Sequence, residues 1–317
     1  MKRIKINSNN GFLSFNDLPE NCLFNKVITG CGGTTIALSN EFNYVIAVPT
    51  KELIFNKCGQ GAHTITTINN REQTVFGLYG EFTYSLKKEL EDYCKRDGIK
   101  KIMCTYDKVP KLMEYINAAD YKLLVDEYHI LLKAYSYRHK AIDGVLDNFK
   151  KFKSYCFMSA TPINPDFRPD SLNELEEYQA DWGDDIENVK VLLEQTNKPY
   201  TRVANIIDSY KKDGYIEVDG FKSYEAFFFV NSVTDIMSIL NYCELSENEV
   251  KIICANGNEE KVAPYKIDNS KTPNKKFNFI TSAAFEGVDY FSETGMCFVV
   301  SNSRNENTLL DISTDVY

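Results

Sequence analysis

The sequence predicts an α/β protein of two domains, and three observations predict it. The chain has 317 residues, about twice the usual length of one domain. Its first half alternates short, nearly unbroken apolar runs with helix-like stretches, the βαβ pattern of a parallel sheet covered on both faces. A second series of the same kind follows an acidic window. Composition agrees: 43% of the residues are hydrophobic and 26% are charged, which excludes disordered, collagen-like and coiled-coil chains.

In the first domain, strands are expected at residues 26–29, 44–48, 102–105, 123–125 and 155–158, where apolar and β-branched residues run together. Helices are expected at 83–96 and 108–118 between them. Residues 164–200 then carry ten acidic and three basic side chains, so −7 of the total charge of −9 sits in this window. Such a block reads as a solvated connector or small helical insertion. Its charge would repel a phosphate backbone, which keeps it out of any nucleic-acid cleft. Because the remainder is nearly neutral, the pI of about 5.1 does not exclude a nucleic-acid partner. The second series has strands at 226–230, 250–254, 277–280 and 297–300, with a helix at 233–243. The expected division is 1–165, an acidic connector at 166–199, and 200–317.

No run of eighteen uncharged apolar residues occurs, so no membrane span is expected. The basic start from Met1 to Phe12 lacks the apolar core of a signal peptide. Nine cysteines without a CxxC pair point to reduced thiols in a cytoplasm, the host's if the protein is viral, and not to a zinc site or disulfide frame.

Two motifs carry chemistry. Leu123-Leu124-Val125 runs into Asp126-Glu127-Tyr128-His129, placing two carboxylates at the carboxyl end of a buried strand, where ligands of open α/β sheets bind. Asp126 there suits a magnesium ion and Glu127 the activation of a water; a strand ending in solvated acids fits the same residues equally well. The second is Gly30-Cys31-Gly32-Gly33-Thr34-Thr35 after an apolar run. A glycine-rich turn opening a helix can cradle phosphate through its backbone N–H groups, with the Thr34 hydroxyl on magnesium, although most such turns are only turns.

Their order with the rest of the chain resembles a superfamily-two helicase core. The glycine loop resembles motif I, Val48-Pro49-Thr50-Lys51-Glu52-Leu53 motif Ia, Asp126–His129 motif II in its DExH form, and Ser159-Ala160-Thr161 motif III. Phe229–Ser232 is similar to motif IV and Thr281–Asp289 to motif V. The resemblance spans roughly residues 24 to 300. It implies two RecA-like domains with parallel sheets flanked by helices, ATP and Mg2+ as cofactors, and DNA or RNA, DNA slightly favoured, as partner. By residue it implies nucleotide contacts at Gly30, Cys31, Gly32, Gly33, Thr34 and Thr35 and, from the second domain, at Gly287 and Asp289. Asp126, Glu127 and His129 would be catalytic, with Thr34 and Asp126 on the metal. Ser159, Ala160 and Thr161 would couple nucleotide state to nucleic acid held by Thr50, Lys51 and Thr281.

The pattern departs from the family at two places. Gly33 stands where the motif I lysine belongs. Lys26, read as the far end of a strand leading into the loop, should lie about 13 Å away at 3.3 Å per residue; Lys51 is the favoured surrogate. No motif VI arginine pattern occurs before Tyr317, so either the chain is a piece of a longer protein, the favoured reading, or the protein lacks that motif; the DExH core with a lysine-free loop suggests a phage or mobile-element origin. The expected function is an ATP-dependent helicase or translocase with low activity as this chain alone. The alternative is a non-hydrolysing nucleic-acid-binding scaffold, and a packaging-type ATPase ranks last.

Overall fold

The computed structural model describes residues 1–7, 11–67, 70–183, 191–285 and 290–309, with backbone alone at 136, 137 and 307. The chain falls into two compact units, Met1–Asn188 and Val189–Val316.

The first unit is built on a nine-stranded sheet: β1 (Lys2–Lys5), β2 (Cys22–Asn25), β3 (Tyr44–Val48), β4 (Gly61–Thr66), β5 (Glu72–Leu78), β6 (Lys101–Thr105), β7 (Lys122–Asp126), β8 (Ser154–Ser159) and β9 (Glu176–Asp181). Their spatial order is β1-β9-β2-β8-β7-β3-β6-β5-β4, parallel except for β4 against β5. Successive side chains of a strand point to opposite faces. On β7, Leu123 and Val125 accordingly enter one apolar layer and Leu124 the other. Helix α1 (Gly33–Ser39) buries Ile36, Ala37 and Leu38, and α2 (Lys51–Lys57) buries Leu53 and Ile54, all in the second layer. Helix α3 (Tyr84–Lys95) starts at Thr83, whose hydroxyl accepts from the Leu86 N–H, and packs Leu86, Leu90 and Tyr93 into the first layer.

Two expectations are corrected. The strand placed at 26–29 is Cys22–Asn25. The Asn25 side chain accepts from the Val27 N–H at 2.9 Å, and Val27 takes a left-handed φ of 68°, so the ladder stops one residue before Lys26. The acidic window is not a connector throughout, because Glu176–Asp181 forms β9, an interior strand between β1 and β2. Its charges are met locally: Lys2 bonds Glu176 and Arg168 bonds Glu177, each at 2.6 Å. Residues 184–190 of that window lie outside the described residues.

The second unit has a parallel four-stranded sheet, ordered β13-β14-β12-β15, preceded by a hairpin of β10 (Ile216–Val218) and β11 (Phe221–Ser223). The sheet strands are β12 (Glu225–Val230), β13 (Val250–Ile253), β14 (Phe277–Ile280) and β15 (Gly295–Val300). Helices Pro199–Asp213 and Val233–Tyr242 pack Ile207, Tyr210, Ile236 and Leu240 against them. Phe228 stacks between Phe279 and Phe298 at 5.0 and 5.1 Å. The nine cysteines are all free thiols, and no described helix is long and apolar enough to cross a membrane.

Candidate active site

Sheet register assembles the site. β8 pairs with β7 on one side, Asp126 opposite Met158, and with β2 on the other, Asn25 opposite Ser159. The carboxyl ends of three neighbouring strands thus deliver Lys26, Asp126 and Ser159 to one edge. Three hydrogen bonds fix the chain there. The Lys26 N–H donates to the Ser159 carbonyl and the Tyr128 N–H to the Met158 carbonyl, at 2.9 and 3.1 Å. Trp182 Nε1 donates to the Lys26 carbonyl at 2.9 Å.

Around this edge the side chains form one connected network. Thr34, in the first turn of α1, donates its hydroxyl to Asp126 Oδ2 at 2.5 Å. Lys26 Nζ lies 2.5 Å from Glu127 Oε1 and 3.9 Å from Asp126 Oδ1. The other Glu127 oxygen is 3.4 Å from His129 Nδ1, and the same nitrogen meets Ser159 Oγ at 2.8 Å. Ser159 Oγ accepts from the Thr161 N–H at 2.9 Å. Tyr106, buried, donates its hydroxyl to the Asp126 carbonyl at 2.5 Å, steadying the turn in which Glu127 adopts a φ of 51°.

Val27 and Glu127 therefore both hold left-handed backbone beside the network. Strain of this kind costs about 1–3 kcal/mol per residue and gathers where a site imposes geometry on the chain.

Electrostatics follow burial. Asp126 is 2% exposed, and burial pushes its carboxyl above the usual range against the opposing pull of Lys26. For Lys26, burial disfavours the ammonium, but the Glu127 and Asp126 charges outweigh it and hold the group above the ordinary lysine range, protonated at neutral pH. Two carboxyl groups face one ammonium in this largely dry corner.

Thr34 and Asp126 present hard oxygens from a single point, and hard oxygens suit magnesium. Among the described residues no group of three or more His, Cys, Asp or Glu could hold a metal. An ion here would therefore complete its shell with water and ligand oxygens, as magnesium at phosphate sites commonly does.

The glycine loop lies alongside. Gly30 and Gly32 take φ of 65° and 81°, and the Cys31 carbonyl accepts from the Leu13 N–H at 2.9 Å. At Gly33 a Cβ would stand 2.4 Å from Met158 Sδ, so the side chain of Met158 fills the space that a lysine stem at 33 would need.

The structure thus brings together Thr34, Asp126, Glu127, His129, Ser159 and Thr161, with Gly30–Thr35 and Ala160 next to them. It does not bring the nucleic-acid trio into this network. Thr50 precedes α2 with its hydroxyl oxygen buried and without a hydrogen-bond partner. Lys51 opens α2 and is half-buried, and no contact ties it to the two carboxylates. Thr281, in the second unit, turns its hydroxyl to the Ile253 carbonyl at 3.3 Å. Gly287 and Asp289 lie outside the described residues.

Sequence reading set Lys26 aside on distance and did not single out Met158, Tyr106 or Trp182. For Lys26 the signal was present: Asn25, an Asx-turn former, ends the apolar run and places the lysine at the strand's carboxyl end.

No family model matches this sequence, and no curated protein is similar to it in sequence. Among solved structures, a variant of S. cerevisiae Dbp5 bound to a Gle1 variant and IP6 aligns with a TM-score of 0.55 and 13% identity, over 90% of this chain and 71% of that one. A second S. cerevisiae Dbp5 structure, with Nup159, Gle1, IP6 and ADP, aligns at 0.40 and 11% identity over 84% and 68% of the two chains. A DEAD box protein from Methanococcus jannaschii aligns at 0.35 and 15% identity over 86% and 72%. The likeness of fold rests on the first of these. The chain has an α/β fold with parallel-dominated sheets, similar to that of this Dbp5 structure.

Proposed function

We propose that the chain binds ATP with Mg2+ at the edge of β2, β7 and β8 and uses its hydrolysis to drive a helicase or translocase on DNA or RNA. One observation carries this reading: a single hydrogen-bonded and ion-paired network joins Thr34 of the glycine loop, the Asp126–Glu127 pair, and Ser159 and Thr161 through His129. These are the groups a nucleoside triphosphatase needs in contact.

In this reading Thr34 and Asp126 hold the metal, and the loop Gly30–Thr35 faces the phosphates. Bound magnesium neutralises phosphate charge. Glu127 accepts the proton of the attacking water. His129, between Glu127 and Ser159, ties the state of that carboxylate to the Ser159–Thr161 turn, so a change at the phosphates reaches the end of β8. Gly287 and Asp289, which lie outside the described residues, are proposed as further nucleotide contacts. Nucleic-acid contact is assigned to Lys51, with Thr50 and Thr281 beside the backbone; because both hydroxyls are turned inward, Lys51 carries the test.

Met158 over Gly33 favours a second reading, a scaffold that keeps nucleic-acid binding without turnover. ATP hydrolysis by the full chain, with and without single-stranded DNA and RNA, separates the two. Nucleic-acid-stimulated turnover supports the motor. Nucleic-acid binding with no nucleotide binding and no turnover supports the scaffold.

A further inference from the structure

We propose that Lys26 is this protein's phosphate-binding lysine, moved from the glycine loop at position 33 to the end of β2. The inference rests on the nucleotide reading above and adds the cation that reading lacks. Three observations carry it.

The usual position is filled by the flexible end of the Met158 side chain. With Met158 Sδ 2.4 Å from where a Cβ would sit on Gly33, a lysine stem cannot leave the loop there without displacing a buried side chain.

A cation is nevertheless in place. Lys26 is only 6% exposed, and its ammonium lies against Glu127 and Asp126 while Thr34 holds the other Asp126 oxygen. The ammonium therefore lies against the carboxyl group to which Thr34 of the glycine loop is bonded.

The mounting is rigid at the backbone and long at the side chain. Ser159 and Trp182 bond the Lys26 N–H and carbonyl, while four methylenes separate that anchor from the charge. The chain adopts left-handed Val27 immediately afterwards, a cost difficult to explain if Lys26 were only the tail of a strand.

The charges also balance through a binding event. With the site empty, Lys26 neutralises part of the buried acid pair. With a triphosphate and its metal bound, Lys26 would pair with phosphate oxygens and Asp126 would face the metal, so that neither of these two buried charges would be left alone, the situation that is most costly.

The test is equilibrium binding of fluorescent ATP, ADP and AMP analogues, with magnesium, to the full chain. Lys26→Met should weaken ATP binding about 30-fold, as expected for losing one partner of a desolvated charge pair. The loss should be smaller for ADP and smallest for AMP, and Lys26→Arg should recover most of it. Lys26→Met combined with Glu127→Gln leaves fewer unpaired buried charges; compared with Glu127→Gln alone, it should show the same phosphate-graded loss even if the single variant folds poorly. An equal loss for all three nucleotides, or none for ATP, would overturn the proposal and make Lys26 a structural ion-pair partner. If the unmodified chain binds no triphosphate, the nucleotide reading itself fails, and the assignment of Lys26 fails with it.

Discussion

At Asp126, burial and chemistry pull in opposite directions. Its carboxyl is shifted upward, first by desolvation. The stability tied to the protonated form is fully present below the ordinary carboxylate range and is lost as pH rises through the shifted value. At neutral pH the buried carboxylate is thus a net cost to the empty fold. Asp126→Asn keeps an acceptor for Thr34 and leaves Lys26 its Glu127 partner, so it should raise the melting temperature of the nucleotide-free chain at pH 7 while abolishing the magnesium dependence of nucleotide binding. A lower melting temperature would contradict the desolvation account.

Lys101 gives the opposite pH dependence. It is 0% exposed, its Nζ donates to the Ala37 carbonyl at 2.7 Å and to Asn40 Oδ1 at 2.6 Å, and burial lowers it to about 7. Unfolded, it would hold its proton up to about 10.4, so the unfolded chain binds more protons above pH 7 and stability rises with pH. The contribution is at most about 1.4 kcal/mol per pH unit. Melts of the unmodified chain and Lys101→Met between pH 7 and 9 should differ by that slope; parallel curves would show that Lys101 stays charged.

Among elements, the meeting of α1 with β8 is the most sensitive. Gly33→Lys forces its Cβ against Met158 Sδ, an overpacking that costs about 1–3 kcal/mol, and it should lower the melting temperature without strengthening nucleotide binding. Adding Met158→Ala opens the space and should recover part of the stability lost. Full stability in Gly33→Lys alone, read by thermal melts, would mean that the loop moves away from β8 freely.

The same scale shows where the sequence was and was not legible. β3, β6, β7 and β8 carry continuous apolar runs because both faces of the sheet are covered, and they were predicted where they lie. β9 has a weaker pattern, Glu176-Glu177-Tyr178-Gln179-Ala180-Asp181, with only Ala180 buried. Its place is set by pairing with β1 and β2 and by Lys2 and Arg168, partners 174 and 9 residues away. Net charge over a window cannot report such pairing. β2 was misplaced by a few residues because Val27 and Ile28 extend its apolar run past the Asx turn, and that shift concealed Lys26. The distance of about 13 Å expected between Lys26 and the loop rested on the same misplacement. Asp126 and Glu127 were readable as the carboxyl end of a strand in an open α/β sheet, and His129 and Ser159 only through the motif resemblance; their contacts were not, since they depend on the register of β8 with two neighbours.

At the scale of the whole molecule, every residue of the network that joins Lys26, Thr34, Asp126, Glu127, His129, Ser159 and Thr161 belongs to Met1–Asn188. Residues 1–188 expressed alone should bind a fluorescent ATP analogue with magnesium, and Asp126→Asn should remove that magnesium dependence there as in the full chain. Loss of binding in a fragment that still melts cooperatively would assign an essential share of the site to the second unit, where Gly287 and Asp289 were expected.

The claim that the network is a working nucleotide site is tested most directly by ATP turnover in the full chain and in Glu127→Gln, with nucleic acid present. Glutamine keeps the shape of the side chain but cannot take a proton from water. The predicted result is measurable turnover by the unmodified chain and loss of it in Glu127→Gln, with nucleotide binding retained. Equal turnover in the two proteins would contradict the account.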